Sequence, residues 1–199
     1  MFFTFTPDIV NEPFRYWSEI SSREKTAGNA RNCDLFVDDK GFIHLLWFER
    51  SCDTRLRDKF FPDEPLTHSL RYAKLKGQKM LEQKNILFFQ ENEKTSSGIS
   101  KIDIIWAKFH ITKQNQLYIF ATISGSNNEN KICAENWLFE MDSNGSIINQ
   151  QKINFDKPFT FFPTAGIRNG CAPSNKIHIY GSVIEQNNKM YYGCICLNG

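Results

Sequence analysis

Residues 36–47 read FVDDKGFIHLLW. Two short apolar runs flank Asp39-Lys40-Gly41, whose residue types favour a tight turn, so the stretch predicts a β-hairpin. After the turn, Ile43-His44-Leu45 sets a polar ring between two aliphatics, the period-2 pattern of a strand with two different faces. The pattern returns twice. FHITKQNQLYIFA (109–121) turns at 113–115 and continues as Leu117-Tyr118-Ile119, and GCAPSNKIHIYGS (170–182) turns at 173–176 and continues as Ile177-His178-Ile179.

Each hairpin is followed by a third matching run: HSLRYAKLKG (68–77), ENWLFEMDSNG (135–145) and KMYYGCICLNG (189–199). The first two units add a fourth, NILFFQ (85–90) and QQKINFD (150–156). The stretch with helix-friendly composition, LRYAKLKGQKMLEQKN (70–85), reads as two strands about a Gly77 turn when aligned with the other units. Repeats of this size, each built of short antiparallel strands, predict an all-β fold of four-stranded β-propeller blades. The expected organisation is one domain over 1–199, with N-terminal strands in 1–30 and blades at 31–90, 102–157 and 159–199, the last incomplete. FFTFT at the N-terminus suits the strand missing from the last blade. Three blades do not close a ring, which leaves three arrangements open: a piece of a longer chain, a half-ring completed by a homodimer, or an open stack.

Composition narrows the partners. Aromatic residues make up 14% of the 199 residues and favour strands. The net charge of +2 and the absence of a basic run argue against nucleic acid. No apolar run approaches the roughly 20 residues of a membrane span, and MFFTFTPDIV lacks the basic n-region of a signal peptide. The six cysteines, at 33, 52, 133, 171, 194 and 196, contain no C-x-x-C and are expected to be reduced and mostly buried, with neither a metal nor a cofactor.

CDLFVDDKGFIHLLW, LRYAKL, PFTFFPTAGIRNGCAPSN and MYYGCICL together resemble the sialidase-like, BNR-repeat β-propeller group, which includes propeller-type polysaccharide lyases. The likeness spans about residues 30–199 and lies in the order of the elements. Asp39 and Gly41 keep the Asp-x-Gly core of the group's Asp-box, S-x-D-x-G-x-T-W, while its flanking Ser and its Thr-Trp ending are absent. The resemblance implies handling of carbohydrate, with an acidic polysaccharide at the channel mouth as the expected substrate. If active, the chain would be a polysaccharide lyase or a glycoside hydrolase. The alternatives are a non-catalytic propeller scaffold for protein interaction and an inactive fragment of a larger enzyme.

In such lyases His and Tyr side chains act as base and acid around a uronate, which makes His44, His178 and Tyr118 the catalytic candidates. Arg168, the one arginine after Arg71, sits among glycines and would hold a carboxylate with a bidentate fork. Trp137 would serve as a sugar platform and Tyr192, the repeat equivalent of Tyr72, as a further substrate contact. Recurrence of a ring in all three units fits packing equally well, because a catalytic group is needed once. Glu135 is the most isolated acidic candidate, His110 reads as an exposed strand residue, and His68 as part of a solvated loop.

Overall fold

The computed structural model describes residues 1–162 and 172–197. Strands take up 59% of the chain and helix 4%, so the protein is all-β. A hairpin of β1 (Phe2–Phe5) and β2 (Tyr16–Glu19) comes first. The first large sheet follows as an antiparallel meander of β3 (Ala27–Val37), β4 (Phe42–Cys52), β5 (Thr67–Lys76) and β6 (Lys79–Gln90), with a short helix, α1 (Arg57–Phe60), between β4 and β5. The second is β7 (Lys101–Ile111), β8 (Leu117–Ser126), β9 (Ile132–Met141) and β10 (Ile147–Ile153), again in sequence order. The third has three strands, β11 (Phe159–Phe161), β12 (Lys176–Val183) and β13 (Gln186–Cys196). The described residues form no closed ring.

The turn residues act as their types dictate. The Asp38 carboxylate accepts the amides of Lys40 (3.0 Å) and Phe42 (2.8 Å), and Gly41 takes the left-handed conformation that closes the β3–β4 hairpin. Gly77, at φ 58°, turns β5 into β6, as the two-strand reading of 70–85 expects.

β4 is apolar at six of its first seven residues, Phe42–Phe48, because it is buried on both faces. Ile43, Leu45 and Trp47 face one cluster, and Leu46 and Phe48 face another. The second cluster is the contact between the first two sheets, where Ile105, Ala107 and Phe109 of β7 pack on Leu46, Phe48, Leu70 and Tyr72. Phe109 sets its ring edge against both His44 (centroids 6.1 Å apart, 76°) and Tyr72 (6.4 Å, 78°). The Asp34 carboxylate, buried in β3, accepts the Phe109 amide at 2.8 Å and fixes the two sheets in register. The third sheet covers the second in the same manner: Phe120, Leu138, Phe159, Phe162, Ile177 and Ile179 form one layer. Asn136 and Phe159 exchange two hydrogen bonds across it (2.8 and 3.0 Å).

One expectation changes. FFTFT does not complete the last sheet: β1 pairs with β2, and Phe3, with Ile20, covers Ile43, Leu45, Trp47, Ala73 and Leu75 on the first sheet. The apolar residues of that face form one cluster with Phe3 and Ile20, so the hydrophobic gain decides where the hairpin lies. In the third unit β12 and β13 join through a tight turn at Ile184-Glu185 and Phe159–Phe161 pairs with the end of β12, while residues 163–171, expected to lead into the turn at 173–176, lie outside the described residues.

Phe109→Ala should cost about 3–5 kcal/mol, the usual loss for a buried ring that leaves a cavity between elements. Phe88→Ala, on an exposed position of β6, should stay within about 0.5 kcal/mol. Urea unfolding of the two variants checks the difference.

Candidate functional site

The rings singled out by the repeat lie near one end of the three sheets. His44 is third in β4, Tyr118 second in β8 and His178 third in β12. His44 is buried: its Nδ1 shares a 2.9 Å hydrogen bond with the Tyr72 hydroxyl, and its Nε2 lies 3.4 Å from Asp38. Burial lowers its pKa, and the Asp38 carboxylate opposes the shift. Tyr118 is buried between the second and third sheets. His178 is half-buried on the third sheet, with its Nδ1 2.7 Å from the Tyr192 hydroxyl. The structure thus pairs His44 with Tyr72 and His178 with Tyr192 and puts Tyr118 in a different layer. Trp137 stacks on Phe139 and donates its indole N–H to Glu135 at 2.9 Å. Arg168 lies outside the described residues.

Buried carboxylates serve as joints. Glu135 accepts from Thr95 (2.6 Å), Ser96 (3.1 Å), the Ser97 amide and Trp137, with Lys152 at 3.5 Å, and so pins the loop between β6 and β7. Burial pushes its carboxyl up, but these donors outweigh it and the net shift is down. Glu49 does the same for the approach to β3, held by Ser21, Trp47, Arg23 and Arg71. Burial raises it, the donors lower it further, and its pKa falls to about 2.

At the opposite end of the sheets a cleft of about 840 Å³ opens. It is built from the end of β4 (Arg50), the start of β5 (His68), the end of β6 and its loop (Gln90, Glu91, Asn92, Glu93), the start of β7 (Ser100, Lys101, Asp103), the end of β8 (Ser124, Ser126), Thr160, and Glu185 of the β12–β13 turn. Arg50 stands six residues beyond His44 on one strand, and Ser124 six beyond Tyr118, so about 20 Å separates the cleft from the repeated rings. Arg57 pairs with Glu91 at 2.8 Å, and Lys101 donates to Asn130 at 3.1 Å. Among the described residues Arg50 Nε and His68 Nε2 are buried with no hydrogen-bond partner.

His68 and His110 both differ from expectation. Period-2 burial of β5 extends back to His68, which is 6% exposed and stacks on Phe48 (6.1 Å, 14°). His110 is buried, and its Nε2 donates to the Ser174 carbonyl at 2.6 Å, tying the second unit to the third. Neither Arg50 nor Asp103 stands out in the sequence. The signal that marks them is the clustering of irregular loops at 53–66, 91–100 and 127–131 on their end of the sheets. Of the cysteines, Cys33 and Cys52 are buried, Cys133 is half-buried, and Cys194 and Cys196 are exposed, all five as free thiols; Cys171 lies outside the described residues. Burial pushes the Cys33 thiol up to about 11. Among the described residues no cluster of three His, Cys, Asp or Glu side chains is arranged to hold a metal, and no helix is long and apolar enough to cross a membrane.

The chain is thus an all-β protein of stacked antiparallel sheets with a cleft at one end that mixes charged and hydroxyl side chains with the aliphatic Leu66, Ile102, Ile132 and Ile184. Comparison with protein-family models, with curated proteins and with solved structures finds no match to it.

Burial lowers the pKa of His44, His68 and His110, with His68 brought to about 4 by burial and then by Arg50. The unfolded chain therefore takes up protons near pH 6.5 that the folded chain refuses, and stability falls as the pH drops from 6.5 towards 4. Thermal unfolding should be flat near pH 7 to 8, decline through this window on the acid side, and decline again as the pH rises past about 9, where the unfolded chain ionises the thiol that burial holds protonated at Cys33. His68→Gln should make the decline shallower, and an unchanged slope would show that His68 is not held neutral.

Proposed function

We propose that the chain is a run of three consecutive β-propeller blades and that it binds carbohydrate in the cleft rather than cleaving it. Support for the blades comes from the packing: each sheet is a meander, and the first strand of each later sheet lies on the sheet before it, β7 on β3, β4 and β5, and β11 on β8 and β9.

The lining of the cleft carries the binding reading. Donors (Arg50, Lys101), acceptors (Asp103, Glu93, Glu185) and hydroxyls (Ser100, Ser124, Ser126, Thr160) are interleaved around one space. A sugar hydroxyl both donates and accepts, so a polyol matches these polar positions. The volume falls within the range of sites that enclose small ligands. Charge shifts the sugar class away from the acidic polysaccharide expected at first. Glu91, Glu93, Asp103 and Glu185 outnumber Arg50 and Lys101, which favours neutral or amino-bearing sugars. Catalysis has less support, since an acid and a base must reach the same group, and His44, Tyr118 and His178 belong to different layers about 20 Å from the cleft.

One observation favours a second reading. Among the described residues no Phe, Tyr or Trp lines the cleft, so the sugar-stacking platform of many carbohydrate sites is missing. A non-catalytic scaffold whose loops engage a protein partner fits that feature.

Calorimetric titration with a neutral hexasaccharide, a chitosan oligomer and an oligogalacturonate of equal length separates the two. The neutral and amino oligomers should bind, the uronate should bind least, and Asp103→Asn should weaken binding about tenfold, the worth of a hydrogen bond to a charged group. Failure of all three sugars to bind would leave the scaffold reading in place.

A further inference from the structure

The strand registers make the three sheets comparable residue by residue. His44 opposes Lys74 and His178 opposes Cys194, so Tyr72 and Tyr192 are equivalent, as are Leu46 and Tyr180. In the second sheet Tyr118 opposes Glu140, which makes Phe120 and Leu138 the corresponding pair and Asn136 the counterpart of Leu70 and Met190. In the first two sheets these positions are buried: Leu46, Tyr72 and Leu70 under β7, and Phe120, Leu138 and Asn136 under the third sheet. In the third sheet the same positions are open, with Tyr180 52%, Tyr192 68% and Met190 60% exposed.

The His–Tyr pair sharpens the comparison. His44 and Tyr72 form a socket that takes the edge of Phe109 from the next sheet. His178 and Tyr192 are joined through the same atoms, and among the described residues no ring fills their socket. At the other end of the stack the N-terminal hairpin buries Phe3 against the first sheet and leaves Phe2 (58%) and Trp17 (64%) exposed. Glu19, cross-strand from Phe2, is exposed there too, while Lys176 is exposed on the third sheet.

We propose that the open face of the third sheet docks the N-terminal hairpin of a second copy of this chain, with Trp17 or Phe2 entering the His178–Tyr192 socket. The two ends are chemically different and complementary, an aromatic pair beside Glu19 against an aromatic face beside Lys176. A head-to-tail contact of this kind closes when two copies related by a two-fold axis each supply one hairpin and one open face. The proposal rests on the repeat registers and not on the sugar reading, so sugar binding by a monomer would leave that reading standing while refuting this one.

The test is sedimentation velocity of the full chain at micromolar concentration, with Tyr192→Arg and Trp17→Glu. Both residues are exposed, so each variant should keep the far-UV circular dichroism and melting of the parent. The parent should sediment at twice 23.2 kDa and each variant alone as a monomer. An equimolar mixture of the two should recover a dimer, because one hairpin–face contact then joins two unaltered surfaces. A monomeric parent, or a dimer that neither substitution weakens, overturns the proposal. Failure of the mixture to recover also overturns it, as does a Trp17→Glu variant that stays dimeric, the result a face-to-face dimer of two third sheets gives.

Discussion

The structure depends on one contact repeated along the stack: the face of a twisted antiparallel sheet is covered by the first strands of the next. A four-stranded sheet has two faces and cannot bury both by itself, so it is stable only as a layer among layers. Phe109 shows the contact at its tightest, with its ring edge against both members of the His44–Tyr72 pair and its amide held by Asp34. Because stacking is face to face, strand ends gather at the two ends of the stack. One end receives the short hairpin turns. The other receives the β4–β5 and β6–β7 loops, and the cleft forms among them.

Buried polar groups make the stacking specific. An unpaired carboxylate in such a layer would be strongly destabilising, and Glu49 and Glu135 avoid this by collecting several donors each. Each also anchors an irregular segment that the hydrophobic effect alone could not position. Glu135 fixes the loop at 95–97 beside the cleft, and Glu49 fixes 21–23 where the chain enters the first sheet. Among the described residues six buried polar atoms lack a partner, on Thr4, Asn29, Arg50, His68, Arg71 and Gln186, and two of these residues, Arg50 and His68, line the cleft.

Much of the fold was legible because its determinants are local. Asp38 to Gly41 and Gly77 announce turns by residue type, and the alternation around His44, Tyr118 and His178 announces strands in register with one another. The site was less legible for a physical reason. Period 2 tells which face a residue occupies, but not which end of which neighbouring sheet it will meet. His68 looked solvated because its sequence neighbours are polar, yet Phe48 from the adjacent strand covers it. Arg50, Asp103 and Glu185 are far apart in sequence and converge only through the stacking. The N-terminal strand was assigned to the wrong sheet because its composition suits any apolar face, and only the uncovered side of β4 and β5 explains where it goes.

The most direct test of the account is a nuclear Overhauser spectrum of the chain with labelled aromatic side chains. The stacking of consecutive sheets predicts cross-peaks from the Phe109 ring to both the His44 and the Tyr72 rings, three residues brought together from two sheets. Cross-peaks to neither ring, with Phe109 showing only contacts within its own sheet, would contradict it.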